Sequence, residues 1–176
     1  MRRAEFRTAA IYHACCSCLE ALDHIQDRLL EAAGMTSIEA LNGCRLAPLS
    51  SRRDMALLGL IHRSVLGRGP GHFAEFFRPD VTARSEASSR DVHRLQLVEY
   101  SEAHWTDFMY PNSRQADYIG HSMVGLVSIY NRLPAYTVEG SSSVSSFQAA
   151  LQALLQSKAN AGEAGWATTF SPRRRR

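Results

Sequence analysis

The chain has 176 residues, 45% hydrophobic and 21% charged, which is ordinary for a globular protein and long enough to bury a real core. Its formal net charge is +3, but the last four residues are all arginine, and subtracting them leaves −1 for the rest, so the body lacks the cationic face that phosphate backbones select. No apolar run approaches the ~18–20 residues of a membrane span, no apolar stretch of secretory type follows Met1-Arg2-Arg3, and cysteines at 15, 16, 18 and 44 predict reduced thiols in an intracellular protein.

The pattern along the chain predicts a frayed start over 1–9, a single helical domain over 10–157 and a disordered, basic-ended tail over 158–176. The expected fold class is mainly α, a small irregular helical domain with long loops and at most a minor β-element. A first helix is expected from Ile11 to Ala33. There Leu19, Leu22, Ile25, Leu29 and Ala33 recur at three- and four-residue steps, with Glu20, Asp23, Asp27 and Glu31 on the other side and Gly34 as the stop. Thr36 and Glu39 have the spacing of a capping box and should open a short helix ending near Gly43.

Ser51 is the expected N-cap of the next helix, with Asp54 three residues on. Met55, Leu57, Leu58, Leu60, Ile61, Val65 and Leu66 make that helix apolar over most of its circumference, which places it at the centre of the core. Gly67, Gly69, Pro70 and Gly71 form a turn after it, and His72 to Phe77 a short helical turn. From Arg78 to Asp117 the pattern weakens, with a brief alternation at Leu95, Leu97 and Glu99 that suggests a short strand. Ile119, Met123, Leu126, Val127, Tyr130 and Leu133 predict one further helix, ended by Pro134. A Ser-rich link over 141–146 leads into a last helix, with Ser145 and Gln148 as its expected cap pair and Val144, Phe147, Leu151, Leu154 and Leu155 on one face.

Few residue sets here have the chemistry of a site. His13 with Cys16 and Cys18 has metal-ligand character, but no second pair at zinc spacing accompanies it, so no metal and no cofactor is expected. His93, His104 and His121 are the candidates for a histidine-based hydrolase or nuclease, yet no nucleophile elbow or ββα pattern surrounds them. Arg52 and Arg53 at a helix start have the donors to hold a phosphate, or they form a solvated cap paired with Glu39 or Asp54. His62 and Arg63 are expected as an edge pair. Arg173, Arg174, Arg175 and Arg176 are either a nucleic-acid or nuclear-import patch or the translation of an unselected reading frame.

Two segments, LDHIQDRLLEAAG (22–34) with RLAPLSSRRDMALLGLIHR (45–63), and YNRLPAYTVEGSSSVSSFQAAL (130–151), resemble the far C-terminal region of the reverse-transcriptase polyproteins of non-LTR (LINE-type) retrotransposons. The residues that carry the resemblance are, in order, Leu22, Asp23, Gln26 and Arg28; Pro48, Leu49, Arg52, Arg53, Asp54 and Leu58; and Tyr130, Asn131, Leu133, Pro134, Val138, Phe147 and Leu151. Together they span roughly residues 10–155. Tyr130 stands where that family usually has Trp, and the chain contains no Asp-Asp pair, the family's polymerase metal ligands. The resemblance therefore implies a non-catalytic post-polymerase region or fragment, a structural or nucleic-acid-binding appendage. The partners it implies are RNA or DNA and the polymerase domain of the parent polyprotein. The nucleic-acid-binding residues expected on this basis are Arg52, Arg53, Arg63 and Arg173 to Arg176. A stand-alone helical domain that docks on a protein partner is the alternative.

Overall fold

The computed structural model describes residues 16–80, 93–99 and 123–171, and over these the chain is mainly α-helical. The helices are α1 (Cys16–Ala32), α2 (Ser37–Cys44), α3 (Leu49–Val65), α4 (Phe73–Phe76), α5 (Val127–Asn131), α6 (Ala135–Glu139) and α7 (Val144–Asn160), with 3-10 turns at Val124–Leu126 and Trp166–Thr168. Among the described residues, β-pairing is confined to one isolated antiparallel bridge between Pro79 and Leu97, where a short strand was expected. No helix among them is long and apolar enough to cross a membrane. The expected single domain divides into two compact units. Unit one comprises Met1–Leu57 with Gln148–Ser171, and unit two comprises Leu58–Phe147 with Pro172–Arg176.

In unit one the helix ends follow from local chemistry. Thr36 and Glu39 form the expected capping box: the Thr36 N–H donates to Glu39 Oε2 at 2.7 Å, and the Glu39 N–H donates to Thr36 Oγ1 at 3.2 Å. The backbone N–H and then the hydroxyl of Thr36 hold the Glu39 carboxyl below its usual range. α1 stops as expected at Gly34. Its φ of 64° is left-handed, and the Met35 N–H reaches Leu30 O while the Gly34 N–H reaches Glu31 O, a complete Schellman closure. α3 starts two residues before the expected Ser51 cap, directly after Pro48, whose carbonyl accepts the Arg52 N–H at 3.0 Å. Ser51 is buried instead and donates its hydroxyl to the carbonyl of Ala167.

The face that α1 buries differs from the expected stripe. Leu19 and Leu30 are buried, together with Gln26, whose Nε2 donates to Ala47 O at 3.1 Å. Leu22, Ile25 and Leu29 remain 40%, 54% and 60% exposed. At about 100° per residue the two sets lie roughly 90° apart. The apolar residues of α1 form a broad arc, and the expected stripe is its middle. Polar partners for Gln26 and Asp23 decide which edge of that arc turns inward, because a buried polar group needs its bond.

The expected tail over 158–176 is corrected over its described part. α7 runs on to Asn160. Gly162 (φ 69°) closes it through Glu163 N–H to Lys158 O and Gly162 N–H to Ala159 O, and Lys158 pairs with Glu163. The 3-10 turn follows, and Phe170 is buried after it. The α7 cap is also two residues earlier than expected: Ser143 and Ser146 exchange N–H to Oγ bonds of 3.1 Å each way. Along α7, Leu151, Leu155 and Ala159 are buried in unit one, with Leu41 and Ala40 of α2 among the buried apolar residues of the same unit. Gln156 Nε2 donates to Leu41 O at 3.1 Å, tying α7 to α2.

The α1 face gives a paired test. Leu30→Ala should lower unfolding free energy by about 2–5 kcal/mol, whereas Leu29→Ala, one residue away and chemically identical, should change it by no more than about 0.5 kcal/mol. Urea unfolding followed by circular dichroism reads both; a larger effect at Leu29 would restore the stripe that periodicity predicts.

Candidate functional site

The arginines expected to bind nucleic acid do not share one environment. Arg53 is buried and committed: Nη2 donates to Asp23 Oδ2 at 2.9 Å, and Nη1 lies 2.8 Å from Oδ1 as an ion pair without hydrogen-bond geometry, joining α3 to α1 within unit one. Its partner is neither Glu39 nor Asp54. A guanidinium buried and ion-paired in this way is not presented to a phosphate, so Arg53 leaves the candidate set. Arg52, beside it, is partly buried and has interactions of its own. Arg63 belongs to unit two, is exposed, and donates Nε to Arg68 O at 2.8 Å. This bond braces the end of α3, where Gly67 (φ 70°) makes a second Schellman closure with Ser64 and Arg63. Gly69 is fixed too, since a Cβ there would stand 2.4 Å from Ser64 Oγ. Arg173 to Arg176, His13, His104 and His121 lie outside the described residues.

The most organised cluster of polar groups is in the interior of unit two, around Tyr130 on α5. The ring is fully buried. Its hydroxyl lies 3.0 Å from His62 Nδ1, and its carbonyl oxygen accepts from His93 Nε2 at 2.9 Å. His62 Nε2 is 3.0 Å from the carbonyl of Ser141. A carbonyl only accepts, so His62 carries its proton on Nε2, and Nδ1 accepts the Tyr130 hydroxyl proton. The same logic protonates His93 on Nε2. Phe147 stacks on His62 with centroids 4.2 Å apart, and His93 meets the Tyr130 ring edge-on at 5.3 Å. Burial pushes both histidines below the ordinary imidazole range and pushes the Tyr130 phenol up.

Asn131 continues the arrangement. Its Oδ1 accepts from the Leu97 N–H at 2.9 Å and its Nδ2 donates to Leu97 O at 2.8 Å, so one side chain imitates a neighbouring strand. Gln96 Nε2 donates to His93 O and to Asn131 O, both at 3.1 Å. Leu133 is buried, and Pro134 supplies the carbonyl that accepts the Thr137 N–H at the start of α6. The Tyr-Asn-x-Leu-Pro stretch is thus a packing and capping device.

His62 is a correction: it is not an edge residue beside Arg63 but a fully buried one. Its position among Leu58, Ile61 and Val65, on the apolar run of α3, was the available signal. His93, the one hydrolase candidate that is described, has Nε2 engaged and Nδ1 buried without a partner, so neither nitrogen is presented to a substrate. Among the described residues no group of three or more His, Cys, Asp or Glu side chains stands at metal-binding range. Cys18 and Cys44 are exposed and take part in no disulfide.

Two substitutions separate packing from binding roles. Asn131→Ala leaves the N–H and C=O of Leu97 without this partner and should cost about 1–3 kcal/mol. Arg53→Ala strands Asp23; because that carboxylate is partly exposed, the loss should fall below the ~3–5 kcal/mol of a fully buried pair. Chemical denaturation measures both, and an unchanged midpoint in either variant would remove that residue from the structural account. No family model matches this chain, and neither does any curated protein or any solved structure, so its function rests on its own residues.

Proposed function

We propose that this chain is a non-catalytic C-terminal region of a non-LTR retrotransposon reverse-transcriptase polyprotein, serving there as a helical structural appendage with weak, charge-driven contact to RNA or DNA. The observation that carries this reading is the role of the shared motif. Tyr130, Asn131, Leu133 and Pro134 each do a local folding task, and so do Asp23, Gln26, Pro48 and Arg53 of the earlier motifs. Residues that hold a module together are what such a region would need, whatever the polymerase does. Nucleic-acid contact is assigned to the expected arginines other than the buried Arg53, namely Arg52, Arg63 and Arg173 to Arg176.

Filter retention of single-stranded RNA tests the binding part. The full chain should retain RNA at about 50 mM salt and lose it steeply by about 200 mM. Removing Arg173 to Arg176 together with Arg52→Ala and Arg63→Ala should flatten the salt dependence, by roughly 0.7 in log–log slope for each phosphate of a single strand that is no longer neutralised. Absence of retention at low salt would overturn the binding role. The origin is tested separately by the DNA upstream of the coding sequence, where a reverse-transcriptase frame, intact or broken, is expected.

One observation favours a second reading, a stand-alone helical domain that docks on a protein partner. Leu22, Ile25 and Leu29 follow the three- and four-residue steps of a helix-pairing seam and are exposed together on α1.

A further inference from the structure

We propose that the His62–Tyr130–His93 cluster is an acid-operated latch on unit two, one that holds α3, the 93–99 segment and α5 together while both imidazoles are neutral and releases them on mild acidification. Each histidine already uses its single ring N–H, on the carbonyls of Ser141 and Tyr130. A further proton can therefore go only to an Nδ1. On His62 that nitrogen accepts the Tyr130 hydroxyl at 3.0 Å, so protonating it turns the bond around and leaves the phenol proton to find a new acceptor in the interior. On His93 the Nδ1 is buried with no hydrogen-bond partner, so a proton there points at nothing that can take it. Both charges would sit beside the same buried tyrosine.

The groups facing the pair do not reverse this. His62 meets Tyr130 from α5, the Ser141 carbonyl and the Phe147 face from α7; Arg63 on its own helix is exposed and turned to Arg68. His93 meets Tyr130 and feels Glu139 of α6, whose carboxylate favours its charge but is itself engaged by the Arg94 N–H at 2.6 Å. Burial is the largest influence on both histidines and disfavours charge, and for His62 the neighbouring His93 adds to it. Unfolded, each histidine binds its proton near about pH 6.5; folded, it does so only lower. The opened form takes up more protons below about 6.5, so unit two is most stable above that pH and weakens as pH falls through it. Among the described residues of unit one the only histidine, His24, is exposed, so unit one has no such device there.

Amide hydrogen exchange on the full chain, corrected for the intrinsic rate, tests the latch at pH 7 and pH 5. Protection at Leu97, Val98 and Leu133 should fall below about pH 6.5, by at most about 10-fold per pH unit for one coupled proton and about 100-fold per unit for two, while Leu41, Leu151 and Leu155 hold theirs. His62→Gln with His93→Gln, which keeps a donor at each carbonyl without a titrating ring, should remove the difference between the units. An equal loss in both units, or a double variant that keeps the wild-type pH dependence, would overturn the proposal. If the double variant does not fold, the wild-type ring proton resonances decide: titration of His62 and His93 at or above about 6.5 in the folded chain overturns it, and titration below supports it.

Discussion

Unit two depends on Tyr130 having both ends of its residue satisfied. The hydroxyl reaches α3 through His62, the carbonyl reaches the 93–99 segment through His93, and the next residue, Asn131, grips Leu97 by its N–H and its C=O. A single hydrogen bond contributes only about 1 kcal/mol net, but a buried group left without one costs about 1–3. These bonds therefore act less by adding stability than by excluding every arrangement in which one of them is missing. The short helices α5 and α6, of five residues each, are too short to persist on their own and are fixed by such ties and by the burial of Leu126, Val127, Leu133 and Val138.

Unit one solves the same problem with a charge pair. The Arg53–Asp23 ion pair and the Gln26–Ala47 bond set the rotation of α1 about its axis, and that rotation leaves Leu22, Ile25 and Leu29 in water. Hydrophobic burial alone would favour the opposite edge, because three large side chains are worth about 1.5–3 kcal/mol each when fully buried. Turning α1 that way would carry Asp23 and Gln26 outward and leave the buried Arg53 guanidinium and the Ala47 carbonyl without their partners, a cost that opposes the gain. The exposed seam on α1 is thus a consequence of where the polar partners are.

Features set within a few neighbouring residues were plain in the sequence. The Thr36–Glu39 box, the stops at Gly34 and Gly67, and the apolar run from Leu57 to Ile61 each depend on spacing alone. Features set by distant partners were not legible. Asp23 and Arg53 are thirty positions apart, His62 and Tyr130 sixty-eight, and nothing local marks either pair. Two local signals were present but hidden by composition. Ser143 with Ser146 has capping spacing just as Ser145 with Gln148 does, and Gly162 after Asn160 repeats the stop seen at Gly34. In a serine-rich link one capping pair looks like another. Ser, Gly and Ala between 157 and 169 look like a solvated tail until Phe170 is found buried at their end.

The double apolar face of α3 has its own explanation in how the chain is divided. Residues through Leu57 serve unit one, and residues from Leu58 serve unit two. A helix with one set of neighbours needs an apolar stripe on one side only. Met55 and Leu57 belong to unit one and Ile61 and His62 to unit two; all four are buried, and at about 100° per residue they spread over roughly 160° of the helix girth. α7 divides likewise, with Phe147 in unit two against His62 and Leu151, Leu155 and Ala159 in unit one.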